Sequence, residues 1–448
     1  MGRGTSGVIH RMTGQIAPST VNNGVFAAVP RLPDPQMGPR PLDIAVIGAG
    51  AIGASTALWL ARAGHRVTLI DRLGPGEGTS FGNAGAIATY ALHPVATVDT
   101  LRKVPRMLMD PESPLSIRWR HLPRLAGWLA RFLWASRPAR VHEIEAVLAI
   151  LMGLAEPAWA ELAREADTLH RVMRRGVLYV HGSEAAHRAD AARVAATRAA
   201  GIPAELIPPE ALRQMEPNLN AGGHGAMLYP EAAHLLDPRG AVQAFAAAAV
   251  ARGAVLLRQD VSAVSQLPDG RVHLVHDGGD ATFDKVVVAA GAWSRRLLGP
   301  GAPPLDAERG YHLMFEGAEE LLRRPVCWSP VGFYMTPMSA GLRVAGTVEL
   351  ADLDSPPTQR RLDMLERHAR ALLPGLGRPT STWLGFRPSM PDSLPVIGAM
   401  PGSPGIVHAY GHGHVGLTLG PITGHLVASL IGGGEAAMDL APLAPTRF

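Results

Sequence analysis

Cysteine and lysine are nearly missing from this chain. Cys327 is the only cysteine in 448 residues, which excludes an intrachain disulfide and a cysteine-rich metal site. A reducing compartment is the easier setting for this composition, so we expect a cytoplasmic protein. Lys103 and Lys285 are the only lysines, which leaves few candidates for a Schiff base and argues against pyridoxal chemistry.

Concentrated positive charge and long apolar runs are also missing. The formal net charge is only +4 and no long basic run occurs, so nucleic-acid binding is not expected. Residues 415–431 form an apolar stretch without charged residues, but Pro421, His425 and three glycines interrupt it, which is not typical of a membrane span. Residues 1–40 have no apolar core of the secretory kind, and we interpret them as a flexible N-terminal tail.

The clearest motif lies in residues 43–72, which read DIAVIGAGAIGASTALWLARAGHRVTLIDR. Gly48, Gly50 and Gly53 have GxGxxG spacing between a short apolar run and an apolar helical stretch, and a second apolar run ends at Asp71. Such a βαβ unit binds a dinucleotide, because the glycines let the pyrophosphate approach the helix N-terminus and the acid accepts ribose hydroxyls. A bare glycine turn explains the glycines alone, but not the flanking strands, helix and acid.

Two further segments favour a flavin over a nicotinamide dinucleotide. Residues 78–87, GTSFGNAGAI, form a small glycine-rich loop soon after the ribose acid. Residues 284–294, DKVVVAAGAWS, read as a buried strand that runs into a small-residue turn. A nicotinamide enzyme has little use for the first loop, whereas the ribityl chain and isoalloxazine ring of a flavin run past such a segment. The pattern therefore favours FAD.

Residues 411–420, GHGHVGLTLG, pose a choice between a metal site and a flavin loop. His412 and His414 are too few for a zinc site, which takes three or four ligands, and no HExxH motif or acidic cluster supplies the rest. Small residues suit the close approach of a flavin ring to the backbone. We predict a flavin loop and no metal, with the following helix directing its positive end at the flavin. Either histidine then adds a hydrogen bond or is an ordinary loop residue.

Taken together, these segments resemble a known family, the FAD-dependent D-amino-acid oxidase and dehydrogenase superfamily. The resemblance is carried by GAGAIG with Asp71, TSFGNAG, VVVAAGAWS, GFRPSMPDSLPVIG (residues 385–398) and YGHGHVGLTLGPITG (residues 410–424). The sequence is similar above all to D-amino-acid dehydrogenases, including those acting on D-proline and hydroxy-D-proline. The resemblance covers nearly everything after residue 42. The N-terminal tail departs from it, and Asp71 stands where many members have glutamate.

The resemblance implies an α/β protein, α+β overall, whose length also exceeds what one hydrophobic core usually supports. A Rossmann-like, discontinuous FAD-binding domain would comprise residues 41–95, 225–305 and 385–440. A substrate domain on a mostly antiparallel sheet would comprise residues 96–224 and 306–384. FAD would be bound non-covalently. Its implied contacts are Gly48, Gly50, Ala51, Ile52, Gly53, Asp71, Arg72, Thr79, Ser80, Asn83, Ala84, Gly85, Val261, Ala290, Gly291, Trp293, Gly413, His414, Gly416, Leu417 and Thr418.

For the substrate, the resemblance points to three side chains. Arg387, in GFRPS, stands where the family binds the substrate carboxylate, and a planar guanidinium suits two parallel hydrogen bonds to that group. Tyr334, in GFYMTP, resembles the tyrosine that closes over the carboxylate, and His312, in RGYHL, would face the amine. Each also has a plainer interpretation: a surface arginine, a half-buried strand aromatic and a core or surface histidine.

The expected reaction is the oxidation of a D-amino acid at its α-carbon. Because the Cα–H is only weakly acidic, the hydrogen is expected to pass as hydride from the neutral amine to flavin N5, giving an imine and then a 2-oxo acid. Orientation and electrostatics would carry most of the rate, without a required protein acid or base. The alternatives are an oxygen-using amine oxidase of the glycine or sarcosine type, and a flavin-binding subunit or redox sensor without turnover.

A dehydrogenase also requires an electron acceptor, such as a quinone or another carrier. Residues 121–134, HLPRLAGWLARFLW, place apolar residues on one helical face among arginines. This helix either packs on its own domain or contacts the inner face of a membrane, where a quinone resides. The expected partners are thus a small D-amino acid and an electron carrier, with a peripheral membrane contact as the open alternative to a purely cytoplasmic location.

Overall fold

The computed structural model describes residue 26, residues 29–110 and residues 112–448. Over this part of the chain the helices are α1 (Ala51–Arg62), α2 (Val98–Met109), α3 (Leu122–Ala135), α4 (Pro138–Glu165), α5 (Glu184–Ala199), α6 (Pro209–Met215), α7 (Pro238–Ala251), α8 (Ser294–Leu298), α9 (Gln359–Leu372) and α10 (Gly416–Gly432). The strands are β1 (Asp43–Ile47), β2 (Arg66–Ile70), β3 (Ala86–Ile87), β4 (Leu115–Ile117), β5 (Val172–Arg174), β6 (Val177–Val180), β7 (Glu205–Ile207), β8 (Ala226–Tyr229), β9 (Ala233–Leu235), β10 (Val255–Leu257), β11 (Val261–Gln266), β12 (Val272–His276), β13 (Gly279–Phe283), β14 (Lys285–Val288), β15 (Asp306–Phe315), β16 (Val326–Trp328), β17 (Phe333–Met338), β18 (Gly341–Leu350), β19 (Ser381–Ser389), β20 (Val396–Met400) and β21 (Ser403–Tyr410).

The first sheet carries the GxGxxG motif at the edge where its parallel strands end. Its strand order is β10-β2-β1-β14-β21-β20, and β20 runs antiparallel to its parallel neighbours. The sequence of β1, DIAVI, is apolar and mostly buried, as expected for a parallel strand covered on both faces. We call this sheet and the helices packed on it the first domain. It is the predicted Rossmann-like domain.

Helix α10 packs closely on α1 because two of its residues at the contact are glycines, which have no Cβ. A Cβ on Gly420 would lie 2.9 Å from the carbonyl oxygen of Ala51, and one on Gly424 would lie 2.7 Å from the carbonyl carbon of Ser55. Within the described part of the chain, α4 and the segment of α10 are long and apolar enough to cross a membrane. Their most apolar windows are 56% and 72% buried inside the protein, so we interpret both as core helices.

The second sheet is mostly antiparallel, which agrees with the prediction. Its strand order is β19-β15-β18-β17-β16-β6-β8-β7, with β4 beside β18. The pairs β16–β6 and β18–β4 are parallel. Helix α9 covers one face, where Leu365 and Phe315 belong to the same buried cluster. This sheet and α9 form the second domain, and the two domains together confirm the predicted fold class.

The structure moves three of the predicted domain boundaries. Strand β8 lies in the second sheet, although the prediction began an FAD-binding segment at residue 225. Strand β19 also lies in the second sheet, although the prediction began another FAD-binding segment at residue 385. Conversely, α4 falls in a predicted substrate segment but packs in the first domain, where Trp159 donates Nε1–H to the carbonyls of Leu417 and Thr418 at 3.1 Å. Pairing between distant strands and helices decides these assignments.

Part of the predicted flexible tail packs against the first domain. Asp34 forms an ion pair with Arg62 of α1 at 2.5 Å, and His425 donates Nε2–H to the carbonyl of Pro33 at 2.8 Å. These contacts correct the prediction for residues 29–40, because they attach the segment to both α1 and α10. The predicted tail also includes residues 1–25, 27 and 28, which lie outside the described residues.

Candidate functional site

A cavity of about 580 Å³ extends from the carboxyl ends of β1 and β2 to strands β15, β18 and β19 of the second sheet. Arg387 and Tyr334 line it together with most of the predicted cofactor contacts. Those contacts are Gly48, Gly50, Ala51, Ile52, Asp71, Arg72, Thr79, Ser80, Asn83, Ala84, Gly85, Val261, Ala290, Gly291, Trp293, Gly413, His414, Gly416 and Leu417. The fold therefore brings four distant segments of the chain to one cavity.

Gly53 and Thr418, which were predicted to contact the cofactor, lie behind the lining instead. A Cβ on Gly53 would overlap the carbonyl oxygen of Gly48, so this glycine lets α1 pack against the turn after β1. The hydroxyl of Thr418 accepts a hydrogen bond from the N–H of Ala88 at 2.8 Å. Both residues shape the cavity through the backbone, which corrects the prediction of direct contact.

The turn after β1 leaves the N-terminus of α1 open to the cavity. Gly48 has a φ of +99°, and a Cβ there would lie 2.5 Å from the carbonyl oxygen of Ala289. Gly50 is the N-cap residue and has no side chain to cap the helix. Ala51 donates its N–H to Ser80 Oγ at 2.9 Å, which leaves the hydroxyl proton of Ser80 available to a phosphate oxygen.

Asp71 holds the backbone of its own turn while it lines the cavity. Its Oδ2 accepts the N–H of Ala49 at 2.8 Å. Its Oδ1 accepts the N–H groups of Leu73 and Gly74 at 2.8 and 2.9 Å. A carboxylate has about four lone-pair sites, so one more hydrogen bond from a ribose hydroxyl remains possible. The role predicted for Asp71 is therefore compatible with its position.

The glycine-rich loop after β2 is held by side chains of the second sheet. Arg343 donates from Nη1 to the carbonyls of Phe81 and Asn83, both at 2.9 Å, and Thr336 donates its hydroxyl to the carbonyl of Ala84 at 3.0 Å. Burial lowers the pKa of Arg343 to about 10, so the guanidinium stays charged at neutral pH. Sequence reasoning missed both residues. The available signal for Arg343 was an arginine between the apolar residues Leu342 and Val344 of the strand GLRVAGTVEL.

His312 lies outside the cavity, which contradicts the prediction that it faces the substrate amine. The side chain is only 1% exposed and stacks on Trp383, with ring centroids 5.1 Å apart. Its Nδ1–H donates to the carbonyl of Gly82 at 3.0 Å. Burial, assisted by the positive charge of Arg343, lowers the pKa of His312 to about 4. A neutral histidine therefore supports the wall, and Trp383 is the ring that lines the cavity.

Arg387 projects from β19 into the second-sheet end of the cavity. Its neighbour Gly310 leaves room for it, since a Cβ there would lie 2.5 Å from Arg387 Cζ. Nη1 donates to the carbonyl of Thr347 at 2.8 Å, which leaves most of the five N–H donors free. Burial lowers the pKa of Arg387, and the carboxylate of Glu308 opposes that shift. The guanidinium is thus a fixed, largely uncommitted cation suited to a carboxylate.

Tyrosines form another wall of the same cavity. Tyr334, the predicted one, shares a short hydrogen bond between hydroxyl groups with Tyr179, and Tyr90 packs edge-on against Tyr179. Burial raises the pKa of all three hydroxyls, so they are neutral at any ordinary pH. Tyr90 and Tyr179 were missed because nothing local in the sequence marks two lone aromatics as neighbours. Together the three rings give this end of the cavity an apolar surface with polar tips.

His412 and His414 have different surroundings and do not converge on one point. His412 is buried, contacts Thr423 Oγ1 through Nε2 at 2.8 Å, and has its pKa lowered by burial to about 3. His414 lies 3.1 Å from Glu308 through Nε2. In the described ranges, no group of three or more His, Cys, Asp or Glu side chains is placed to hold a metal ion.

The geometry fits a dinucleotide flavin. An uncapped helix N-terminus lies at one end of the cavity, where a pyrophosphate would accept N–H groups. Glycine loops line the middle, and a fixed guanidinium lies at the far end. Arg72 stacks on Trp293 at 4.6 Å from the ring centroid, which adds an aromatic surface beside the ribose position. Such a combination defines a flavin-dependent oxidoreductase.

The chain matches the family described as FAD dependent oxidoreductase over residues 43–430, and it belongs to that family. It is 39% identical over 420 residues to a D-amino-acid oxidase of Bradyrhizobium diazoefficiens, covering 92% of this chain and 100% of that one. It is 31% identical over 425 residues to a D-amino acid dehydrogenase of Allorhizobium ampelinum, covering 91% and 99%. Glycine oxidase from Geobacillus kaustophilus superposes with a TM-score of 0.70 at 25% identity, covering 91% of this chain and 99% of that structure.

Proposed function

We propose that this FAD-dependent oxidoreductase oxidises D-amino acids at Cα, giving an imine that hydrolyses to a 2-oxo acid. The observation that carries the proposal is Arg387, a fixed guanidinium with free donors at the second-sheet end of the cavity. The names of two relatives, a D-amino-acid oxidase and a D-amino acid dehydrogenase, support the same substrate class. A flavin-binding subunit without turnover would have no use for this guanidinium.

Each wall of the cavity has a task in this proposal. Bound FAD supplies the acceptor for the hydrogen and electron pair that leave Cα. Arg387 holds the substrate carboxylate through two parallel hydrogen bonds, and Thr347 keeps the guanidinium in place. The hydroxyls of Tyr334 and Tyr179 offer neutral donors near the same end, while their rings exclude water. Fixing both the carboxylate and the side chain orients Cα without a moving part.

The experiment that tests the proposal is anaerobic titration of the purified yellow protein with single D-amino acids. D-proline, hydroxy-D-proline and D-alanine are the first three to try, with glycine, sarcosine and the L-enantiomers as comparison compounds. We expect bleaching of the flavin by D-amino acids and little by the comparison compounds. Bleaching by glycine or sarcosine alone would support an amine oxidase of that type instead.

We further propose that the electrons pass to a carrier such as a quinone, at a peripheral contact on the cytoplasmic face of a membrane. None of the described residues of α2 is buried, and Met109 at its end is 79% exposed. Trp119 is 68% exposed, and Leu133 and Trp134 are exposed in α3. Arg120 and Arg131 are exposed near these residues in the sequence, as attraction to anionic headgroups would require. Other residues of α3, including Leu125 and Trp128, are buried, so the helix also packs on its own protein.

Molecular oxygen is the competing electron acceptor, and the name of one relative, a D-amino-acid oxidase, supports this alternative. The two acceptors are separated by exposing the bleached protein to air or to a soluble quinone. Rapid return of the yellow colour with quinone and slow return in air are expected for a dehydrogenase. Rapid return in air with hydrogen peroxide release would identify an oxidase and contradict the carrier proposal.

A further inference from the structure

A close contact between Glu308 and His414 lies between the large cavity and a smaller one. Glu308 projects from β15, and His414 lies on the loop between β21 and α10. Nε2 of His414 is 3.1 Å from Oε2 of Glu308, and their side chains are 39% and 8% exposed respectively. His414 lines both cavities, whereas Glu308 lines only the smaller. The imidazole therefore connects the two spaces.

The smaller cavity has a volume of about 190 Å³ and polar atoms in its wall. His412 Nδ1 belongs to a residue that lines it, is buried, and lacks a hydrogen-bond partner among the described residues. A buried polar atom of this kind is normally satisfied by water, and the volume has room for several molecules. Water in the smaller cavity can therefore exchange protons with Glu308 and His414.

Charges around Glu308 keep it ionised. Burial alone would raise the pKa of this carboxyl, but His414 and the positive charge of Arg387, opposite it in the β15–β19 register, lower the pKa below its ordinary value. The other titratable group lining both cavities is His412, which burial keeps neutral. His93 at the rim of the smaller cavity is paired with Glu145 at 2.6 Å. Glu308 thus places a carboxylate beside the imidazole of His414.

We propose that His414 is the proton acceptor for the substrate ammonium, with Glu308 as its positioning partner. This inference rests on the proposed function. One N–H bond of the ammonium breaks, its electron pair remains on the nitrogen as the amine lone pair, and the proton bonds to the imidazole of His414. The atom that receives it is Nδ1, which makes no hydrogen bond with any described residue, since Nε2 faces Glu308. The proton then leaves through water in the smaller cavity.

Such an acceptor assists the reaction because only a neutral amine has the lone pair that lets hydride leave Cα. An amino acid enters as a zwitterion, and its carboxylate is neutralised by Arg387. The ammonium proton then moves to a site with a carboxylate already beside it. Charge is therefore conserved within the site during the transfer, and the proton leaves through the smaller cavity only afterwards.

The first test compares His414→Gln with His273→Gln over pH. Glutamine still donates to Glu308 but cannot accept a proton, whereas His273 contacts Asp280 at 3.2 Å and lines neither cavity. At neutral pH we expect His414→Gln to lower kcat/KM for a D-amino acid by about 10²–10⁴-fold. The loss should vanish once pH exceeds the pKa of the substrate ammonium, because the amine then arrives neutral. The His273→Gln profile should match the parent.

A loss that persists at high pH, or the release of FAD from His414→Gln, would show a structural role and overturn the proposal. So would parental activity of His414→Gln at neutral pH. Flavin content of both variants is therefore measured beside the rates.

The second test does not depend on turnover. Pyruvate carries a carboxylate but no ammonium, so its binding at Arg387 adds a negative charge without bringing a proton. In weakly buffered solution near pH 8 with an indicator dye, the parent should take up a substantial fraction of a proton, at most about one, and His414→Gln should take up none. No uptake by the parent would overturn the His414 assignment even if D-amino acids bleach the flavin. Uptake without bleaching would instead leave the assignment standing and reject the proposed function.

Discussion

The carbonyl of Thr347 accepts a hydrogen bond from Nη1 of Arg387 at 2.8 Å. Thr347 has a φ of +64°, a conformation that β-branched residues rarely adopt, and it lies where the β15–β18 register shifts. The bulge turns this carbonyl away from the ladder and toward the guanidinium. Backbone strain is thus stored beside the residue that we assign to the substrate carboxylate, as is common at functional sites.

Replacing Arg387 with alanine tests that assignment. Loss of a charge-assisted bidentate pair is expected to cost about 2–5 kcal/mol of transition-state binding, measured as a fall in kcat/KM. Arg387→Lys should recover only part of the loss, because a point charge cannot reproduce the fork. Amino acid amides, which lack the carboxylate, should be poor substrates for the parent and indifferent to the change. A variant that loses FAD but keeps its affinity for D-amino acids would show that the arginine is structural.

FAD binding is tested at Gly48. Gly48→Val should leave the protein colourless, because its Cβ would lie 2.5 Å from the carbonyl oxygen of Ala289 in the phosphate turn. Gly253→Ala is the matched control, since its φ of +95° is similar but nothing lies within 4 Å of the added Cβ. The control should lose about 1–2 kcal/mol of stability and remain yellow. Equal flavin absorbance in the two variants would mean that the turn does not hold the cofactor.

Acid stability should depend on His234, which is 1% exposed in β9. Burial, with a smaller effect of Arg175, lowers its pKa from 6.5 to about 4. His234 therefore becomes protonated below pH 6.5 in the unfolded chain but only below about pH 4 in the folded protein. The free energy of unfolding consequently falls as pH drops through this window. At pH 5 this effect lowers the free energy of unfolding by about 2 kcal/mol. We expect His234→Leu to lose less free energy of unfolding than the parent between pH 7.5 and 5, measured with urea; equal losses would contradict this.

The proposed membrane contact predicts salt-sensitive binding to anionic vesicles. The parent should sediment with phosphatidylglycerol-containing liposomes at low salt and be released as ionic strength rises, because screening weakens attraction to anionic headgroups. Leu133→Ser should weaken the binding, since it removes an exposed apolar side chain from α3. Val250→Ser is the control, as Val250 is 43% exposed on α7. Protein that stays in solution at every salt concentration would favour the packed-helix interpretation.

The phosphate turn could be predicted because its signals are local. Gly48, Gly50 and Asp71 lie within one βαβ unit, and each answers a requirement of the backbone or ligand nearby. The glycine-rich loops could also be predicted from local sequence, and the structure places them along one cavity. Arg387 was marked by the GFRPS motif, which the structure places in β19, and it lies at the end of that cavity. Family resemblance and local pattern agreed at these positions.

The rest of the site depends on contacts that no local pattern carries. His312 and Trp383 are paired across β15 and β19, and the Trp383 ring stacks on His312 and lines the cavity in its place. Arg343 binds loop carbonyls about 260 residues away in the chain. Glu308 and His414 meet only because β15 passes beside the loop after β21. Domain boundaries shifted for the same reason, because strand pairing assigns β8 and β19.

The partnership of α1 and α10 has a consequence for synthesis on the ribosome. Trp59 reaches a carbonyl that lies 362 residues later in the chain, and β1 pairs with a strand that begins at Lys285. The face of α1 that packs on α10 therefore stays uncovered until the last part of the polypeptide is translated, although β2 and α7 contact other parts of the helix. Nascent chains that stop before residue 416 lack α10 entirely. They therefore expose an apolar, aggregation-prone surface and depend on chaperones. Completion of the C-terminus is thus the step that commits the chain to its folded state.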